Sequence, residues 1–371
     1  VFGYFYFSQS TKDMKIIRST AFIPFIMLMA SLLTFFPVLA QDDDDFDPSL
    51  FEDAGTGVKA FCTNKVLRQS PAPLISLSYD VQGSATVTSP AIGGFAQESV
   101  PFGSAIGFRF LSNIPVISKN NILVNWGLSY IHLGYNQQNE NLFQHPLNVN
   151  MSNHSLKWLN TNLTLFKPLN EKRFVLLQVA GELNGDYAFD NMPSLANVRV
   201  PGALIYGFKP NDRLMWGIGM SRTYLGGALN YIPAIYYFHT FKNDKWGIES
   251  VFPGRLYTRY RIDGRNLFML GYSAEGATYR LSNFNNTPGA SVINPANNIE
   301  LRRSEIRLGI TYARGLSDFL WVNVQAGYRI NYAFSLDQGE FYRGFDDDNF
   351  FLEPGLSNTW FLQFTFNMVS P

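Results

Sequence analysis

From Leu74 onward, apolar and polar residues alternate along the chain with a period of two. Ile75, Leu77, Tyr79 and Val81 alternate with Ser76, Ser78, Asp80 and Gln82. Val322, Val324, Ala326, Tyr328, Ile330 and Tyr332 alternate with Asn323, Gln325, Gly327, Arg329 and Asn331, and Trp360–Asn367 repeats the pattern. Successive side chains on a strand point to opposite faces, so this period marks strands with two unlike surfaces. The alternation is less clean at Tyr231–Phe241, where both faces carry aromatics. Helical periodicity is hard to find anywhere.

Fourteen segments carry the strand signal: 74–82, 102–110, 121–135, 155–166, 173–187, 200–209, 213–223, 231–241, 245–252, 255–262, 266–280, 300–313, 319–334 and 356–367. Every second connection is short and rich in turn formers, as at Pro210-Asn211-Asp212, Lys242-Asn243-Asp244 and Asp263-Gly264-Arg265, although Leu111–Asn120, which belongs to this set, is longer. Those between are mostly long (83–101, 136–154, 188–199, 281–299 and 335–355), although Leu225–Asn230 and Pro253-Gly254 are short. Short turns on one rim and long loops on the other are the habit of outer-membrane barrels. An even strand count places both termini in the periplasm.

Hydrocarbon leaves no solvent for an unpaired backbone group, so a spanning sheet must close on itself. Its outer face is then apolar and its inner face polar. The polar face here carries Asn, Gln, Arg and Glu in strand after strand, too many to bury in a dry core. Trp126, Tyr130, Tyr328 and Trp360 near strand ends suit interfacial girdles. The expected fold is therefore all-β, a transmembrane antiparallel up-and-down barrel of about 14 strands, with 12 as the alternative count. A soluble sandwich or lipocalin-like barrel with one wet face is the competing class.

The N-terminal region reads as an address. Lys15 and Arg18 follow Met14, an apolar stretch runs from Ala21 to Phe36, and Val38-Leu39-Ala40 offers small residues for cleavage. The expected organisation is an over-extended start (1–13), a signal peptide (14–40), a periplasmic leader or plug (41–73) and an outer-membrane barrel (74–371). The leader includes an acidic run, Asp42–Asp47, which lacks the alternating ligands and glycine turn of a calcium loop. After Ala40 no apolar run approaches the roughly 18 residues of a membrane helix.

Composition agrees. Aromatic and charged residues each make up 16% of the chain, whereas a soluble domain carries roughly 25% charged residues. With 29 basic and 29 acidic side chains, the bulk attraction that nucleic-acid binding needs is missing. The single cysteine, Cys62, makes no intramolecular disulfide and no zinc cluster.

Two stretches, Phe252-Pro253-Gly254-Arg255-Leu256-Tyr257-Thr258-Arg259-Tyr260 and Gly271-Tyr272-Ser273-Ala274-Glu275-Gly276-Ala277-Thr278-Tyr279, together with the signal ending in Val38-Leu39-Ala40, carry a resemblance. The chain resembles an uncharacterised family of outer-membrane β-barrels from Bacteroidetes. That resemblance implies a fold, a location in outer-membrane lipid and delivery by the barrel-assembly machinery; it assigns no substrate and no catalytic residue. One departure is the C-terminus. Such barrels end on an aromatic residue, and here Asn367–Pro371 follow Phe366.

The most specific chemical feature is a charged ladder. Arg255, Arg259 and Arg261 share one strand face, and Leu256, Thr258, Tyr260 and Ile262 the other. Glu275 follows on the next strand, then Arg303, Glu305 and Arg307, then Arg329, with Arg109, Glu182 and Glu249 elsewhere. An Arg on the lipid face costs about 2–4 kcal/mol near the midplane, so these residues are candidates to line the lumen. They form either braces of paired charge or a pore lining whose Arg excess favours small anionic solutes. Catalytic signals are weak. Among His132, His145, His154 and His239 there is no paired-His metal motif, and no Gly-x-Ser-x-Gly elbow accompanies them. No cofactor is expected, and a lipase-like enzyme ranks last. Asp346-Asp347-Asp348-Asn349 reads as a solvated loop. Two function classes stand: a passive channel or transporter for small solutes, and a closed structural or partner-binding barrel acting through its loops. Full pairing of the ladder favours the second; unpaired charge facing water favours the first.

Overall fold

The computed structural model describes residues 61–370 apart from 104, 136–142, 190–191, 193, 195–196, 226–228, 285–286, 288, 290, 292–298 and 338–349. The signal, its cleavage site, the acidic run Asp42–Asp47 and the loop Asp346–Asn349 lie outside the described residues.

Fourteen strands close into one antiparallel barrel. In chain order they are β1 (Pro73–Gln82), β4 (Ala105–Lys119), β5 (Ile122–Tyr135), β6 (Leu156–Pro168), β7 (Arg173–Gly185), β8 (Gly202–Asn211), β9 (Leu214–Thr223) and β10 (Asn230–Thr240). They continue with β11 (Trp246–Phe252), β12 (Arg255–Arg261), β13 (Asn266–Arg280), β14 (Glu300–Gly315), β15 (Leu320–Asp337) and β17 (Thr359–Val369). Neighbours in sequence pair with one another, and β1 closes the ring by pairing with both β17 and β4. Three further strands, β2 (Ala85–Ser89), β3 (Glu98–Phe102) and β16 (Gly355–Leu356), form a separate small sheet in the order β16-β2-β3. A helix, α1 (Pro146–Asn153), interrupts the connection between β5 and β6.

The outer wall is apolar. Leu163, Leu204, Ile218, Leu270 and Phe366 are each more than half exposed, the last at 56%. Left in water, such a belt would be an aggregation surface; in hydrocarbon it is the expected exterior. Exposed Trp216 and Trp246 sit at the short-turn rim, while Tyr328 and Trp360 are cross-strand partners towards the other rim. The chain is a transmembrane barrel.

Both ends of the lumen are filled. On the long-loop side, the small sheet and α1 join the barrel in one apolar cluster, in which Val87, Phe102, Leu147, Phe284, Leu301 and Leu336 are almost fully buried. This roof contains no residue of β8–β12. On the short-turn side, residues 61–72 cross the opening as a floor. Cys62 N–H donates to Asn170 O (3.2 Å), and Leu67 N–H donates to Asp212 O (2.7 Å). Thr240 Oγ1 donates to Leu67 O (2.6 Å), and Ser70 donates from both N and Oγ to Glu249 Oε1. Cys62 and Val66 pack beneath Phe166, Phe174, Met215 and Phe238. Gly207 makes that packing possible, since a Cβ there would fall 2.1 Å from Phe174 Cζ. Burial pushes the Cys62 thiol above its ordinary pKa, which keeps it a protonated packing group.

Candidate functional site

Between floor and roof lies a chamber of about 640 Å3. Its wall has two characters. Ala203, Ile205, Ile232, Ala234 and Val251 face it from β8–β11, and Ser76, Ser78, Ser129, Gln325 and Gln363 from the opposite arc. Where β8–β10 border the chamber they present Ala203, Ile205, Ser221, Thr223, Ile232 and Ala234, none of them aromatic, and this leaves the volume open.

The polar arc holds an ionic network built from side chains far apart in sequence. Arg307 reaches Asp80 (2.8 Å) and Glu275 (3.4 Å). Arg109 reaches the same two carboxylates, at 3.1 and 2.8 Å. Glu305 accepts from Arg303 and Arg329, and Arg329 also donates to Gln82 Oε1. The Arg307 guanidinium lies over the Phe361 ring, 4.1 Å from its centre. Four guanidiniums thus meet three carboxylates in two clusters, Arg109 and Arg307 on Asp80 and Glu275, and Arg303 and Arg329 on Glu305. Isolated charges at this depth would be very costly, and mutual pairing offsets most of that cost.

The ladder residues separate into different environments. Glu275 and Arg307 belong to the first of these clusters, Glu305 and Arg329 to the second. Arg259 is fully buried lower down, hydrogen-bonded to Thr240 Oγ1 (2.8 Å) and 3.4 Å from Glu249. Arg261 fastens the floor by donating to the carbonyls of Arg68 and Gln69, both at 3.2 Å. Arg255 stands apart: it is exposed, at the top of β12, on the inward face it shares with Tyr257, Arg259 and Arg261. The Arg surplus expected of a pore lining is largely consumed by carboxylates and carbonyls. Asp80 was not singled out from the sequence. Its only signal was one acid among the polar inward residues of β1.

The wall is not uniform in height. β11 and β12 have seven residues each, whereas β14 has 16 and β15 has 18. At about 3.4 Å per residue and a tilt of about 40°, seven residues rise only about 18 Å, short of an apolar band about 25 Å tall. Pairing between β12 and β13 ends at Arg255–Ser273. Beyond it, Gly254 O accepts from Ala274 N–H, and the next strand partner on that edge is Gly185 of β7, opposite Arg280. Among the described residues no strand pairs with this edge of Glu275–Tyr279. Ala274 and Gly276 line the chamber along with Glu275, Ala277 and Tyr279. The chamber therefore reaches the backbone of this unpaired edge. Phe252, Pro253 and Gly254 at the hairpin tip, and Leu225, also line the chamber.

Three of the histidines have capping or packing contacts. His145 caps α1 in the roof: its Nδ1 accepts from Leu147 N–H (3.3 Å), which makes Nε2 the donor to Pro90 O (3.1 Å). Burial lowers its pKa. His239 lies against Tyr237 and Phe241, and His132 beside Tyr130. Among the described residues no group of three or more His, Cys, Asp or Glu side chains is placed to hold a metal.

No protein-family model matches the chain, and no curated protein matches it. Solved structures similar to it include an outer-membrane channel from Pseudomonas putida F1, 13% identical over 81% of this chain and 97% of that one, with a TM-score of 0.36. A FadL homologue from Pseudomonas aeruginosa is 8% identical over 80% and 90% (TM-score 0.34). The toluene transporter TodX from Pseudomonas putida is 9% identical over 84% and 95% (TM-score 0.27).

Proposed function

We propose that this chain is an outer-membrane transport barrel that takes small apolar or amphiphilic solutes through its central chamber and exchanges them sideways at the β11–β13 window. The observation that carries the reading is the unpaired edge of Glu275–Tyr279, which borders the chamber, in a lumen filled above and below. A solute in the chamber meets a packed roof, a hydrogen-bonded floor and a charged arc. The short side of the wall is the path of least obstruction. The short-turn rim, with the floor that enters it, belongs to the periplasm, and the roof to the outside. In this reading the ionic network acts as a brace that keeps the polar arc rigid, and it lines no ion path.

A closed structural or partner-binding barrel is the second reading, favoured by the same filling of both ends and by the pairing of the network. Uptake separates the two. Proteoliposomes holding the purified full chain should accelerate transfer of a small aromatic hydrocarbon from membrane to lumen relative to protein-free vesicles. Equal rates in the two vesicle types would leave the structural reading. Fractionation of cells with the outer membrane tests the location, and recovery in the soluble periplasm would reject it.

A further inference from the structure

We propose that Arg255 is a head-group site on the lip of the side window, pairing the anionic group of an amphiphile whose apolar chain occupies the chamber. The inference rests on the window reading above and adds the chemistry of the ligand. Every other arginine placed in the lumen here has a partner: Arg109, Arg303, Arg307 and Arg329 in the network, Arg259 on Glu249, Arg261 on floor carbonyls. Among the described residues, the Arg255 guanidinium has no hydrogen bond and no carboxylate within ion-pair distance. The inward acids of the flanking strands are already engaged: Glu249 by Ser70 and Arg259, and Glu275 by Arg109 and Arg307.

Its position makes that vacancy informative. Arg255 begins the short strand β12, next to chamber-lining Gly254 and two residues from chamber-lining Tyr257. It is also the last β12 residue paired to β13, so it marks where the window starts. The shortness of β11 and β12 sets this point below the top of the apolar band. A cation held there is stabilised by an anion arriving from the membrane or the chamber. Beyond it the chamber offers Ala203, Ile205, Ile232, Ala234 and Val251 to an apolar chain. A carboxylate or phosphate head with an alkyl tail satisfies both surfaces; a hydrophilic anion satisfies only one.

The test is binding of radiolabelled decyl phosphate to the full chain in dodecyl maltoside micelles, with decanol and inorganic phosphate as comparison ligands. Decyl phosphate should bind about tenfold more tightly than decanol, the scale of one charge-assisted contact. Arg255→Gln should abolish that difference and leave decanol binding unchanged, and Arg255→Lys should keep most of it. Excess inorganic phosphate should not displace decyl phosphate. Equal affinities in the unaltered protein, or an unchanged preference in Arg255→Gln, would overturn the assignment. Full displacement by inorganic phosphate would overturn it too, in favour of a hydrophilic anion site. Two chamber-filling variants, Ala203→Phe and Ala234→Trp, separate this proposal from the one it rests on. Decanol binding that survives both substitutions in folded protein rejects the chamber itself. Decanol binding lost in either, with the head-group preference untouched by Arg255→Gln, rejects only the role of Arg255.

Discussion

Arg109 and Glu275 form an ion pair at 2.8 Å although four other strands separate β4 from β13 in the sheet order. The pair therefore ties two distant points of the wall across the interior. Arg307, on the strand beside β13, shares both Glu275 and Asp80 with Arg109, so the tie is triangulated. Removing one member leaves its partners as uncompensated buried charges. Asp80 is fully buried and holds two arginines. Asp80→Asn should lower unfolding stability by about 3 kcal/mol, read as a fall in the urea midpoint of the refolded barrel in lipid vesicles. A midpoint unchanged within error would mean that the network is not a brace.

The floor makes a second prediction. Arg259 sits on Glu249, and Glu249 receives both hydrogen bonds from Ser70. Arg259→Ser should therefore loosen the floor, not retune an ion path. In a planar bilayer the unaltered protein should show no steady conductance. Arg259→Ser should show intermittent opening, and deletion of residues 61–72 a larger and steadier current. A steady anion-selective current from the unaltered protein would restore the pore-lining role of the arginines.

Acidification should loosen the roof. Neutral His145 both accepts from Leu147 N–H and donates to Pro90 O; its protonated form has no lone pair at Nδ1 and loses the α1 cap. Glu98 lies close by, accepting from His145 N–H and Asn148, and opposes the downward shift without overcoming it. A histidine whose pKa is lowered by folding contributes its full stability above the ordinary histidine range and loses it as pH falls through and below that range. Amide exchange in Leu147–Asn150, corrected for intrinsic rates, should rise as pH drops from about 7 to about 5, and His145→Asn should flatten the response. Protection independent of pH in the unaltered chain would contradict this.

Orientation is tested from outside the cell. Cysteines introduced in 281–299 or 335–355, in a Cys62→Ser background, should react with an impermeant maleimide on whole cells, and one at Gly264 should not. Equal labelling of Gly264 would reverse the assignment of the two rims.

Much of the barrel was legible in the sequence because its cause is local. A strand with a lipid face and a wet face must alternate, and tight turns such as Asp263-Gly264-Arg265 need their own chemistry. There Asp263 Oδ1 accepts from the amides of Arg265 and Asn266, which holds its carboxyl below the usual range. The roof was not legible. β2, β3 and β16 are short strands inside long loops, and α1 is only eight residues with no marked apolar face; tertiary packing creates them. The ladder was visible as charge on one face, but its pairing was not. Asp80 and Arg307 are 227 positions apart, and only closure of the barrel brings them together. Nor does alternation reveal where a strand edge loses its neighbour, and so the window at Glu275–Tyr279 came from the pairing alone.

In the proposed route the chamber opens to the membrane at its side and to neither aqueous phase along its axis. Trp158 lines the chamber from β6 and reports on this directly. With Trp126, Trp216, Trp246, Trp321 and Trp360 replaced by Phe, its fluorescence in lipid vesicles becomes a probe of what enters. Quenching by 11-bromoundecanol dissolved in the bilayer is expected, lost in the chamber-filling variant Ala203→Phe, with no quenching by aqueous iodide from either side. Quenching by iodide with none from the bromoalcohol would rule out the side opening and place the route along the barrel axis.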